Sequence, residues 1–145
     1  MNEEEKLFAE KARNYVVCMV SDCALADHCL RYRLSQYVPT SKHLVTCVNP
    51  RWEKRRADQC SQYRDDRKVR MAVGMIHMLD RLPALVVLPV RKALIAQFSR
   101  TGYYAMRKGE RMITPADQEL ITEVFRSHGI DEAPQYDGFV DDYWW

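Results

Sequence analysis

VVCMVSDCALADHCLRY, residues 16–32, places three cysteines within twelve positions, Cys18, Cys23 and Cys29. Its reading decides how the first half of the chain folds. Residues 21–37, SDCALADHCLRYRLSQY, carry helix-forming side chains after a capping residue, Ser21 or Asp22, and stop at Pro39. If they form one straight helix, Cys23 and Cys29 stand about 9 Å apart along the axis and point about 240° apart. Two such thiols share no ligand. A common site therefore requires Cys23 in a loop just before the helix and Cys29 in its second turn.

Two further cysteines lie at Cys47 and Cys60. Tetrahedral Zn²⁺ takes four thiolates at about 2.3 Å, with the sulfurs within about 4 Å of one another. For the fourth ligand Cys60 is preferred, because it follows a polar stretch that can be placed freely. Cys47 sits among apolar residues in HLVTCVNP (43–50) and reads as a small core residue. His43 and Cys47 do not pair as ligands in a strand, where four residues span about 13 Å. The expected site is zinc on Cys18, Cys23, Cys29 and Cys60. An iron–sulfur cluster is the competing cofactor, since its cysteines tolerate longer gaps. Against both stands the simpler reading of five ordinary thiols, cysteine being among the most buried residue types.

The chain around these thiols is that of a folded soluble domain. It has 145 residues, 47% hydrophobic and 29% charged. We expect one domain over 1–145, with a cysteine-rich half (1–64), a helical half (65–130) and an acidic aromatic tail (131–145). The longest apolar run, LPALVVLPV (82–90), is broken by Pro83 and Pro89 and is shorter than the roughly 18–20 residues a membrane helix needs. The acidic start, MNEEEKLFAEKARNY, lacks a basic n-region and an apolar h-region. We read the protein as cytoplasmic, with no membrane partner. Thiols stay reduced there, which favours metal binding or burial over disulfides.

Helices are expected over 3–15, 21–37, 69–82, 88–104 and 113–130. In the fourth, Pro89 takes the first position, and Val90, Leu94 and Phe98 share a face. Residues 103–113 either extend it to a Gly109 cap or form a hairpin at Lys108–Gly109. The last helix carries a Thr114 cap, Pro115 at the first position and Asp117 in the first turn. Short strands are expected at 15–20 and 43–50, and no regular structure in the tail. The sum is a helix-rich α+β fold. Its cysteine-bearing half holds a short two-stranded element, and its C-terminal half about three helices.

Charge is segregated although the net is only +2. Residues 31–70 hold eleven Lys/Arg against four Asp/Glu, and residues 112–145 one against eight. The basic run 51–70 offers Arg51, Lys54, Arg55, Arg56, Arg67 and Lys68 to nucleic-acid phosphates, with Trp52 or Tyr63 to stack on bases. The plainer reading is a solvated face laced with Glu53, Asp58, Asp65 and Asp66. The tail YDGFVDDYWW either docks on the protein, its aromatics buried, or serves as a peptide for a protein partner. Enzyme chemistry is the least supported class. No G-x-S-x-G, phosphate-binding or dinucleotide-binding loop is present. His77 reads as a packed histidine, and His128 as a cation at a helix C-terminus.

The residues NYVVCMVSDCALADHCLRY, VNP (48–50), CSQYR (60–64), RMAVGM (70–75), YYAMRKGER (103–111), ITPADQ (113–118) and HGI (128–130) resemble an uncharacterised bacterial domain-of-unknown-function family of short cytosolic, cysteine-containing proteins. The resemblance implies that Cys18, Cys23, Cys29 and Cys60 belong to the family pattern and Cys47 does not. It brings no activity. Ala24 stands where family members often carry proline.

Overall fold

The computed structural model describes residues 1–52 and 60–145. It is α+β and helix-rich, with five α-helices, 41% helix and one two-stranded antiparallel sheet among the described residues. The chain falls into two compact units. One is Met1–Arg67 with Tyr143–Trp145, the other Lys68–Asp142. No helix among the described residues is long and apolar enough to cross a membrane.

In the first unit, α1 (Glu3–Ala12) starts with a capping box between Asn2 and Glu5, and its acidic first turn suits the helix dipole. It buries Phe8 and Ala12. Phe8 meets the rings of Tyr37, Tyr143 and Trp145 at 5.5, 5.2 and 6.1 Å. With Val17, Leu30 and Leu34 these side chains form the core of this unit.

The helix expected over 21–37 is interrupted. A single 3-10 turn covers Ala26–His28, and α2 spans only Leu30–Ser35. Between them Cys29 is extended, with φ −96° and ψ 120°. The two strands expected at 15–20 and 43–50 form no sheet. They touch at one parallel bridge, Val17 to Cys47. Leu44 and Val45 point to solvent and Val48 alone of this segment is buried, so little apolar area rewards longer pairing.

The sheet lies in the second unit instead, and residues 69–73 are strand, not helix. β1 (Val69–Val73) pairs antiparallel with β2 (Gly138–Asp142), Met71 opposite Val140. The other edge of β1 is held by Ile113, which exchanges two 2.9 Å hydrogen bonds with Ala72. Gly74, at φ 76°, turns the chain out of the strand. The tail expected to be irregular therefore supplies a strand.

Three helices follow: α3 (Ala84–Phe98), α4 (Arg100–Lys108) and α5 (Pro115–Ser127). Val90, Leu94 and Phe98 face inward together, and pack with Tyr103, Met106 and Ile121. α3 begins four residues earlier than the expected 88, so Pro89 sits inside it. The N–H that proline lacks would have reached the carbonyl of Leu85, an exposed residue where water can take its place. α4 ends at Gly109 in the left-handed conformation, so the expected Gly109 cap is present, but it closes a separate helix that starts after a break at Ser99, and residues 110–113 are not helical. α5 shows the expected cap, with Thr114 and Asp117 exchanging hydrogen bonds and Pro115 first. His128 caps its other end, Nδ1 at 2.8 Å from the Val124 carbonyl.

Candidate metal centre

Four chain segments of the first unit bring cysteines to one place, and backbone hydrogen bonds hold each. Cys18 follows Val17, whose N–H donates to the Thr46 carbonyl and whose carbonyl accepts from the Val48 N–H. Cys18 donates its own N–H to the Arg31 carbonyl at 3.1 Å. The carbonyl of Cys23 accepts from the Ala26 N–H and so opens the 3-10 turn. Cys29 caps α2 in extended geometry and bridges antiparallel to Asp65. Cys60 opens a turn closed by the Tyr63 N–H on its carbonyl at 3.1 Å.

Cys18, Cys23, Cys29 and Cys60 all line a single cavity of about 20 Å³, together with Leu25, Val48, Arg31, Gln62 and Tyr63. Cys29 is buried and the other three are half-buried. The sequence placed Cys23 in a loop and Cys29 in the second turn of the helix. Cys23 does lie in the turn before the 3-10 element, but Cys29 precedes α2. The break at Cys29 removes the helical phase that would point the two thiols apart.

Ringing a cavity is a looser arrangement than ligation. Among the described residues, no three His, Cys, Asp or Glu side chains stand together as a group that could hold a metal ion. Binding one would require the four thiols to close inward on the space between them. That space is about one water-sized sphere, which is the scale of a single ion.

Cys47 is not a core residue. Its side chain is exposed, while its neighbour Val48 is buried. Side chains alternate along an extended segment, so burying Val48 turns Cys47 outward.

Among the described residues, the cavity wall includes one cation. Arg31 lies over the ring of Tyr15 at 5.2 Å and donates from Nε to the Gln62 carbonyl at 2.7 Å. Burial pushes the Tyr15 hydroxyl up from its ordinary value, against the opposing charges of Arg31 and Arg64. Burial likewise raises Tyr63, with Asp65 adding to it. Nothing in the sequence singled out Arg31, whose role rests on contacts to distant carbonyls.

These cysteine segments, VVCMVSDCALADHCLRY and CSQYR, carry the resemblance noted above. The chain belongs to a family of unknown function, DUF6078, whose model matches residues 1–145. The match therefore extends beyond the quoted stretches to both ends of the sequence. No curated protein and no solved structure matches the chain.

The other sequence-derived sites fare differently. Lys54, Arg55 and Arg56 lie outside the described residues. Arg51 is exposed, its N–H on the Asn49 side chain. Arg67 is exposed, but its guanidinium is forked onto the Asp65 carboxylate at 2.8 and 3.0 Å, and this contact holds Asp65 below the usual carboxylate range. Lys68 is exposed and begins the second unit. Tyr63 lines the cysteine cavity. In the tail, Tyr143 is buried and donates its hydroxyl to Glu4, while Trp144 lies against Arg64 at 4.5 Å. His77 is not packed. It follows the strand rather than lying on a helix face, is mostly exposed, and meets Asp80 at 2.9 Å.

Proposed function

We propose that the chain is a small metal-binding module in which the thiolates of Cys18, Cys23, Cys29 and Cys60 hold one Zn²⁺. The observation that carries this reading is that these four, and not Cys47, line one ion-sized cavity. The chemistry suits zinc: all-sulfur donors, four in number, on segments already tied to one another. The sequence has none of the compact cysteine runs of iron–sulfur proteins, so zinc ranks above the iron–sulfur alternative. A reducing, cytoplasmic setting is part of the proposal, because metal capture needs free thiols.

The centre would be structural. All four donors come from the protein, which leaves no open position for a substrate, and closing them cross-links segments from Cys18 to Cys60. As for what the module binds, nucleic acid is the partner class the basic run would take. Arg67, forked onto Asp65, adds nothing to that idea. The test is elemental analysis of the full chain, purified after expression with zinc and iron both supplied. One zinc per colourless chain is expected. Brown protein containing iron would replace zinc with a cluster, and metal-free protein that stays metal-free on titration with zinc would overturn the reading.

A further inference from the structure

We propose that Arg31 is the positioning residue of the cysteine centre, holding Cys18 and Cys60 at the cavity through its side chain and its carbonyl. This rests on the zinc reading above and goes a step past it.

Arg31 is the second residue of α2, two positions after Cys29. Three hydrogen bonds leave it for the other cysteine segments. Its carbonyl accepts from the Cys18 N–H at 3.1 Å. Its Nη1 donates to the Val16 carbonyl at 2.7 Å, on the same extended segment. Its Nε donates to the Gln62 carbonyl at 2.7 Å, inside the turn that Cys60 opens. One side chain thus ties the segment before Cys18 to the turn after Cys60, and the stack on Tyr15 fixes its plane.

The guanidinium is suited to this. Its donors are rigid and planar, so two carbonyls on different segments can be held at once, whereas a lysine offers a flexible point charge. Arginine is also a cation. Four thiolates around Zn²⁺ carry a net charge of −2, and a fixed cation in the cavity wall offsets part of it. The positioning and the charge are separable. Lysine keeps the charge and loses the fork.

The experiment is a double-mutant cycle on the full chain, with Zn²⁺ affinity read by competition against a chromophoric chelator and ligand count read from the cobalt–thiolate charge-transfer band of the Co²⁺-loaded protein. Arg31→Lys is expected to weaken Zn²⁺ binding by about 10- to 100-fold, the usual loss when an outer partner of a metal site is removed. It is also expected to reduce the charge-transfer intensity toward that of Cys60→Ser, because the Cys60 turn is no longer held. Added to Cys60→Ser, Arg31→Lys should have a smaller effect than in the wild-type background, since only its hold on the Cys18 segment remains to be lost. A wild-type affinity and spectrum in Arg31→Lys, or effects that add fully, would overturn the positioning role while leaving the zinc reading intact. A wild-type chain that binds neither Zn²⁺ nor Co²⁺ would remove both.

Discussion

Cys29 and Asp65 are paired antiparallel: the Leu30 N–H donates to the Arg64 carbonyl at 2.7 Å and the Asp66 N–H to the His28 carbonyl at 3.0 Å. This pairing brings the segment around Cys60 back to the segment around Cys29, across the whole basic stretch between them. The cavity is therefore organised by the backbone before any metal enters. A zinc ion would convert that organisation into cross-linking.

The ligand set can be tested from that point. At a free zinc concentration a hundredfold above Kd, binding to the folded state adds about 2.7 kcal/mol. Zinc-loaded protein should melt above chelator-treated protein. In Cys29→Ser the gap between the two should vanish, and the bound metal should fall. In Cys47→Ser, whose thiol is exposed away from the cavity, both should persist. Differential scanning calorimetry with and without chelator decides it, and equal gaps in the two variants would defeat the assignment.

Ser99, between α3 and α4, has φ 67° and ψ 163°, a region that is almost exclusively glycine's. It stays there while its Oγ accepts from the Gly102 N–H at 3.1 Å and caps α4. Strain of roughly 1–3 kcal/mol is set against a cap whose loss to alanine costs about 1 kcal/mol. Replacement by glycine relieves the strain at a small capping cost, so Ser99→Gly should raise the urea midpoint. Ser99→Ala keeps the strain and loses the cap, so it should lower it. The opposite order would show that Ser99 is not strained.

Gly74 poses a similar question where the alternative is steric. A Cβ there would overlap the Asp137 carboxylate, which accepts from the Ile76 N–H at 3.1 Å. Its φ of 76° adds backbone strain. Gly74→Ala should cost about 1–3 kcal/mol. Gly138→Ala, with no atom within 4 Å of its new Cβ, is the control and should be near neutral. Chemical denaturation of both variants measures the difference.

Much of the helical half could be read from the sequence because its signals are local. Thr114, Pro115 and Asp117 specify the start of α5 within four residues, and Gly109 ends α4 by its own conformation. The sheet could not be read this way. VRMAV fits a helical spacing as well as a strand, and what decides for strand is pairing with residues 138–142 and with Ile113, far along the chain. The grouping of the cysteines was half legible. A straight helix through Cys23 and Cys29 was geometrically incompatible with a shared site, and the break at Cys29 avoids it. Arg31 was illegible, because its partners Val16 and Gln62 are identified only by the fold. Cys47 was misread because apolar neighbours say which segment is near the core, not which side of it faces inward.

Tyr143 gives the first unit a pH dependence that can be isolated. Its hydroxyl is buried and donates to Glu4, and these two effects push it up from an ordinary value of 10 to about 12. The folded state therefore favours the protonated phenol. The resulting stability is fully present below pH 10 and is lost as pH rises through about 12. Tyr143→Phe keeps the ring against Phe8 at the packing distance of 5.2 Å and removes the titrating group. The variant should be less stable than wild type at neutral pH, by about 1 kcal/mol for a hydrogen bond to a charged acceptor lost from a partly buried site. That difference should hold up to pH 10 and then shrink toward pH 12, as the wild-type phenol ionises and repels the Glu4 carboxylate. Urea midpoints of the two proteins across this range, with phenolate absorbance followed alongside, provide the measurement. A difference that stays constant through pH 12 would mean that the Tyr143 hydroxyl does not make this contact.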